Sequence, residues 1–219
     1  MKILIVGNPD QHKEFQSKFT SQHEYSFVTH RLEASPEEFD AVFDFDLGDE
    51  LEEFSHYADT EGLALFVNAP KVSLGELAFY QAEVSCDLFG FNGLPTMLER
   101  ELLEVSAYRP DQQERLAALC KALDTDFELV NDRVGMVTPR IICMIINEAF
   151  YTLQEGTASV EDIDLGMKLG TNYPVGPFEW CDRIGLNHVY EVLEALYEDT
   201  KEERYKICPL LKQQYLRLA

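Results

Sequence analysis

Positive charge is what this chain has least of. Lys and Arg number 18 against 40 Asp and Glu, a formal charge of −22. Residues 1–70 hold only Lys2, Lys13, Lys18 and Arg31 as fixed positive charges, against fifteen Asp and Glu. A field of that sign repels nucleic acid and anionic membranes, serves solubility, and opposes phosphate-rich ligands unless a local patch overrides it. Long apolar runs are missing too: none reaches the roughly 18 residues that span a bilayer. Met1-Lys-Ile-Leu-Ile-Val-Gly7 is too short for a signal peptide and leads straight into a strand pattern. The five cysteines (Cys86, Cys120, Cys143, Cys181 and Cys208) show neither metal-type nor Cys-x-x-Cys spacing. Several fall on apolar helix faces, which implies reduced, buried thiols in a cytoplasm.

What is present first is alternation. Lys2–Gly7 is a short β-branched run ending in glycine, as a buried parallel strand requires. A helix follows over about 11–20. Strands are then expected at 25–30, 41–46 and 63–68, with a helix over 49–57 between the last two. After 84–105 come a helix from Pro110 to Leu123 and a last strand at 127–131. Strands alternating with helices imply βαβ units and a mostly parallel sheet.

Such a sheet suits a nucleotide, but the dinucleotide fingerprint Gly-x-Gly-x-x-Gly is lacking. That pattern lets the backbone turn tightly and bring a pyrophosphate to a helix N-terminus. This chain has Gly7-Asn8-Pro9-Asp10-Gln11-His12. Pro9 removes a donor, and Asp10 sets a negative charge where a diphosphate would lie. The acidic ribose partner expected after the second strand is replaced by His30-Arg31. The acidic run Asp44, Asp46, Asp49, Glu50, Glu52, Glu53 lacks the spacing of an EF-hand loop, so no metal site is assigned. Asp49 and Glu50 suit a helix N-terminus, where negative charge is favoured.

The second half is organised around Lys168–Trp180. Ser159 with Asp162 reads as an N-cap with its partner. Ile163, Met167 and Leu169 supply an apolar side, and Gly170 is placed just past the helix end. Pro174 forbids continuation, Gly176 allows a turn, and Pro177 opens a new helix that Gly185 ends. Thr138 with Pro139 is read as the start of a long helix to about Glu155, apolar over more than one face. Asn187 is read as the cap of a further helix, and Pro209 as the start of the last.

The run Glu161-Asp-Ile-Asp-Leu-Gly-Met-Lys-Leu-Gly-Thr-Asn-Tyr-Pro-Val-Gly-Pro-Phe-Glu179, followed by Asp182-Arg-Ile-Gly-Leu186, resembles the C-terminal domain of the 3-hydroxyacyl-coenzyme A dehydrogenases. The resemblance implies an α/β plus all-α chain. A shortened Rossmann-like sheet over 1–132 would precede a helical dimerisation domain over 133–219. The family's helical insertion after the second strand is reduced here to Leu32–Asp40.

Further residues follow from the resemblance. The family's His-Phe-Phe-Asn-Pro-x-Pro-x-Met is similar to Phe89-Gly-Phe-Asn-Gly-Leu-Pro-Thr-Met97. The family's general base is that His, paired with a Glu in Leu-Val-Glu-Val. Here Glu104 and Asn92 are the retained positions and Phe89 stands at the base, where a phenyl ring accepts no proton. Gly7, Asp44 and Asn68 are the remaining cofactor positions. The family's Asn-Thr-Ser-Ser becomes Asn68-Ala-Pro-Lys71, and its active-site Asn becomes Pro139. The resemblance therefore implies a degenerate homologue, or pseudoenzyme, that keeps a homodimer and acyl-CoA or partner binding, with no cofactor held tightly. An active NAD-dependent oxidoreductase on 3-hydroxyacyl-CoA or a related hydroxy acid is one alternative, and an acidic dimeric interaction module is the other.

Overall fold

The computed structural model describes residues 1–20 and 23–218, and it divides into two compact units, Met1–Met136 and Val137–Ala219.

The first unit is a seven-stranded sheet in the order β2-β1-β3-β4-β5-β6-β7. Its strands are β1 (Lys2–Val6), β2 (Glu24–Val28), β3 (Ala41–Asp44), β4 (Ala64–Asn68), β5 (Asp87–Phe91), β6 (Leu102–Ala107) and β7 (Asp126–Leu129). Every described pairing is parallel except β5 with β6. The central strands read as unbroken apolar runs because both faces are covered. On one face α1 (Pro9–Lys18) and α4 (Gln113–Ala122) close a core of Phe15, Phe43, Phe66, Phe89 and Phe91. On the other, α2 (Ser55–Ala58) and α3 (Leu74–Phe79) cover Leu4, Val42, Leu65 and Leu88.

Sequence and structure part at identifiable places. The helix expected over 49–57 breaks into tight turns at Leu47–Asp49 and Leu51–Phe54, leaving only the short α2 helical. Asp49 and Glu50 therefore do not open a helix. Glu50 has φ −131° and ψ 61°, outside the helical region, and its carboxylate is drawn to Arg31. The first helix starts at Pro9 because Asn8 caps it. Helix α3 had no counterpart in the sequence reading; Ser73 caps it by accepting from the Glu76 amide at 3.1 Å.

The second unit contains α5 (Thr138–Gln154), α6 (Val160–Thr171), α7 (Pro177–Ile184), α8 (Leu186–Thr200) and α9 (Pro209–Tyr215). Ile142, Ile146 and Phe150 of α5 are buried, as are Phe178, Val192, Leu193 and Leu211. Ser159 does cap α6. Gly170, however, lies inside α6, which ends on Asn172 in the left-handed conformation (φ 58°), a conformation Asn tolerates. Thr138 is the first helical residue rather than the cap, since the backbone of Val137 before it is already helical. Asn187 likewise falls inside α8, behind Gly185.

Gly176 is needed for space rather than for an unusual turn. Its φ is an ordinary −74°, but a Cβ there would lie 2.2 Å from Asp164 Cγ. The Asp164 carboxylate accepts the Phe178 and Glu179 amides at 2.8 and 3.1 Å, so one helix caps the next. No residue of α6 is fully buried, and Leu169, expected on its apolar side, is 79% exposed. A groove of about 360 Å³, lined by Ile145, Ala149, Ile163, Gly166, Met167 and Pro177, runs between α5 and α6. All five cysteines are free and buried.

Candidate active site

In an open α/β sheet, ligands bind at the carboxyl ends of the strands where the strand order reverses. Here that point lies between β1 and β3, and the residues leaving β1 are Gly7, Asn8 and Pro9. A diphosphate bound there would need free backbone N–H groups at the start of α1. The chain occupies them itself. The Asn8 amide donates to Gln11 Oε1 at 2.7 Å, and the Asp10 and Gln11 amides both donate to Asn8 Oδ1 at 3.0 Å. The His12 amide donates to the Asn8 carbonyl at 3.0 Å, and that of Gly7 to Val28 at 3.1 Å. Pro9 has no N–H to give. Gln11 also fills the space above Gly7, where a Cβ would stand 2.5 Å from Gln11 Oε1. A reciprocal capping box thus replaces the phosphate cradle, and these residues do not fit the diphosphate of NAD.

The strand ends beside it carry a second closed arrangement. Arg31, after β2, turns inward instead of presenting its guanidinium to a ligand. Its Nε donates to Asp44 Oδ2 at 2.9 Å, and its Nη1 contacts the Glu50 carboxylate. Tyr57 Oη donates to the same Asp44 oxygen at 2.9 Å, while the amides of Asp46 and Leu47 donate to the other at 2.9 and 2.8 Å. Asp44 and Arg31 are buried. Burial opposes the Arg31 charge, but the hydrogen bonds it donates to Asp44 and Glu50 more than offset this and raise its pKa. Desolvation, reinforced by Asp44, raises that of Tyr57. Half-buried Asp46 is pushed up to about 6, first by desolvation and then by the Asp44 carboxylate. Asp44, a cofactor position by resemblance, is thereby engaged inside the fold.

At the end of β4, Asn68 is a brace. Its Oδ1 accepts the Gly93 amide at 2.9 Å and its Nδ2 donates to the Phe45 carbonyl at 3.3 Å, tying three strand ends together. Lys71 donates to both Asp49 oxygens at 2.9 and 3.0 Å. The start of α3 is also occupied: the Leu74 and Gly75 amides donate to the Asp132 carboxylate at 2.7 and 2.9 Å.

Strand pairing decides the fate of the retained catalytic positions. Phe91 pairs with Val105 and Phe89 with Ala107, so Asn92 stands opposite Glu104 and shares its face. The two residues are buried, with Asn92 Nδ2 donating to Glu104 Oε2 at 3.4 Å. Phe89 points the other way. It packs 5.1 Å from Phe66, which stacks at 4.3 Å on Phe43 in the aromatic core. The structure joins Glu104 to Asn92 but places Phe89 on the opposite face. The segment between β5 and β6 is pinned to α1: Glu14 Oε1 accepts the Leu98 amide at 3.1 Å, and Lys18 Nζ donates to the Glu101 carbonyl at 3.0 Å.

The histidines have other surroundings. His12 lies 3.0 Å from the Val28 carbonyl and His23 lies 2.9 Å from that of Ala122. His30 accepts from the Leu32 amide, His56 packs against Tyr57, and His188 is 3.8 Å from Glu191. Among the described residues no group of three His, Cys, Asp or Glu is placed to hold a metal ion, and no helix is long and apolar enough to cross a membrane.

The sequence reading missed the roles of Asn8 and Gln11, although Asn-Pro-Asp-Gln is a legible capping-box pattern. It also missed the Arg31–Asp44 pair and the Asp132 cap, which no local signal marks.

A mostly parallel, Rossmann-like sheet followed by a helical unit is the fold class of this chain. Residues 135–217 match the family described as 3-hydroxyacyl-CoA dehydrogenase, C-terminal domain. The chain is 46% identical over 87 residues to the 3-hydroxyadipyl-CoA dehydrogenase of Escherichia coli (strain K12), a match covering 40% of this chain and 18% of that protein. It is 31% identical over 183 residues to the 3-hydroxybutyryl-CoA dehydrogenase of Clostridioides difficile, covering 82% of this chain and 63% of that one. The chain thus spans less than two thirds of either relative. In fold it is similar to the crystal structure of (S)-3-hydroxybutyryl-CoA dehydrogenase PaaH1 from Ralstonia eutropha, with a TM-score of 0.76 over 99% of this chain and 93% of that one at 23% identity. The second unit thus carries the C-terminal domain of the 3-hydroxyacyl-CoA dehydrogenase family.

Proposed function

We propose that this chain is a catalytically degenerate member of the 3-hydroxyacyl-CoA dehydrogenase family, a pseudoenzyme that keeps self-association and acyl-CoA or partner binding without holding NAD tightly. The observation that carries the reading is the capping box of Asn8 and Gln11, which takes up the amides a diphosphate would need. Asp10 and Asp46 add negative charge at the same strand ends, and Phe89 offers no proton acceptor. Isothermal titration with NAD, NADH and acetoacetyl-CoA tests this directly. The expected dinucleotide affinity is no tighter than roughly millimolar; a micromolar value for NAD overturns the reading.

The partner proposed is a second copy, held through the C-terminal helices. Support comes from the apolar groove between α5 and α6, with Leu165 and Leu169 exposed on α6 and Ile141 on α5. Light scattering at micromolar concentration should give twice the chain mass, and a monomer would refute it. Five free, buried cysteines suit a reducing compartment such as the cytoplasm.

A second reading, turnover of 3-hydroxyacyl-CoA or a related hydroxy acid with NAD, is favoured by one observation, the buried Asn92–Glu104 pair. The same titration separates it from the first.

A further inference from the structure

Phe79 and Tyr80, where α3 ends, form an edge-to-face pair with ring centroids 5.1 Å apart and planes at 87°. They are 78% and 75% exposed, while Leu74, Leu77 and Ala78 anchor the same helix in the core. Two adjacent aromatic rings held outward by a firmly seated helix are an unusual use of apolar surface, and aromatic side chains are enriched at interface centres.

The surroundings say what kind of partner fits. Glu76, one turn earlier, and Glu83, three residues after Tyr80, are both exposed. The chain beyond Tyr80 returns to α2, where the Ala58 carbonyl accepts the amides of Ser85 and Cys86 at 2.7 and 3.2 Å. Beside that junction lies a pocket of about 560 Å³ whose lining includes Glu37, Asp40, Asp59 and Glu61. Two arginines approach it but are engaged by the chain, Arg115 with Asp87 at 2.6 Å and the Gly62 carbonyl at 3.0 Å, and Arg109 with the Val84 carbonyl at 3.3 Å.

We propose that this face docks a basic segment of a partner protein, one that sets an apolar anchor against Phe79 and Tyr80 and places Arg or Lys among the flanking carboxylates. Cations stack favourably on exposed aromatic faces, and a negative rim steers a positive partner toward the rings. Charge complementarity selects this occupant. Nucleic acid and anionic membranes are repelled, and a second copy docked by this same face would set Glu76 and Glu83 against their own counterparts.

The probe is a short fluorescein-labelled peptide in which Arg residues flank one Trp, followed by anisotropy on the whole chain. Two control peptides replace the Trp by Ser or every Arg by Glu. Saturable binding is expected for the first peptide only, weakened about tenfold by Phe79→Ser with Tyr80→Ser, and weakened by Glu76→Gln with Glu83→Gln. The rings are exposed, so the melting temperature of the double Ser variant should stay within about 2 °C of wild type. If that variant proves unstable, the Trp-to-Ser peptide on wild-type protein decides the matter. Equal binding of the peptide lacking Trp would mean bare charge attraction and overturns the proposal, as does no saturable binding. A fall in the wild-type mass caused by the double Ser variant would assign the face to a second copy and overturns it too. None of these outcomes depends on NAD binding or turnover.

Discussion

Arg31 Nε donates to Asp44 Oδ2 at 2.9 Å, and both side chains are at most 1% exposed. Desolvating two charges is costly, so such a pair adds little net stability, yet breaking it strands a buried charge. Asp44 accepts from the Arg31 guanidinium, Tyr57 and two amides, and Arg31 provides its only side-chain counter-charge among the described ion pairs. Arg31→Met should destabilise the chain by about 3–5 kcal/mol, read as the shift in urea midpoint at constant slope. Loss under about 1 kcal/mol would show that Asp44 is not the charge this arginine serves.

The same cluster predicts a pH dependence. Asp46 has its folded-state pKa raised from 3.8 to about 6, chiefly by desolvation. The folded chain therefore binds the proton more tightly than the unfolded one, and stability falls as pH rises through the window from about 4 to 6. Asp46→Asn removes the penalty. With allowance for solvent at this half-buried site, it should stabilise the chain by about 1–2 kcal/mol at pH 7 and by little near pH 4. Denaturant titrations of both proteins at the two pH values give the difference. An equal effect at both would assign it to packing rather than ionisation.

Much of the fold was legible because its signals are local. The β-branched runs of β1, β3 and β4 needed only their composition, and Ser159 and Pro177 each act within one helical turn. Other features depend on distant residues. Thirteen positions separate Arg31 from Asp44, and nothing in the sequence between them marks their meeting. The candidate site suffered most from register. Glu104 and Phe89 could be paired by motif, but the antiparallel ladder of β5 and β6 sets their faces, and a one-residue change in register would reverse that relation. The helix that failed, over 49–57, failed because Glu50 answers to Arg31 rather than to its own neighbours.

Gly176 offers a sharper structural test. A Cβ at this position would meet Asp164 Cγ at 2.2 Å, so the carboxylate that caps α7 must move. Gly176→Ala should cost roughly the cap, about 1–2 kcal/mol. Asp164→Ala should cost a similar amount, and the double variant little more than either alone. Additive losses would show that the glycine and the carboxylate act separately.

The base position gives the decisive chemical prediction. If the missing imidazole were the only defect, Phe89→His would restore oxidation of 3-hydroxybutyryl-CoA, since general-base catalysis contributes about a hundred- to ten-thousand-fold. The geometry argues otherwise. Residue 89 faces the aromatic layer, 5.1 Å from Phe66, while Glu104 faces the other side with Asn92. An imidazole placed there would be buried among Phe43, Phe66 and Phe91 without a carboxylate partner on its own face. The substitution should leave activity at background and lower stability by about 2–4 kcal/mol, through lost packing and an unsatisfied ring nitrogen. Absorbance of NADH during turnover, beside a denaturant curve for the same preparation, reads both. Activity from Phe89→His, or robust turnover by the wild-type chain, would mean that the site works in an arrangement other than the one described and that the chain is an enzyme.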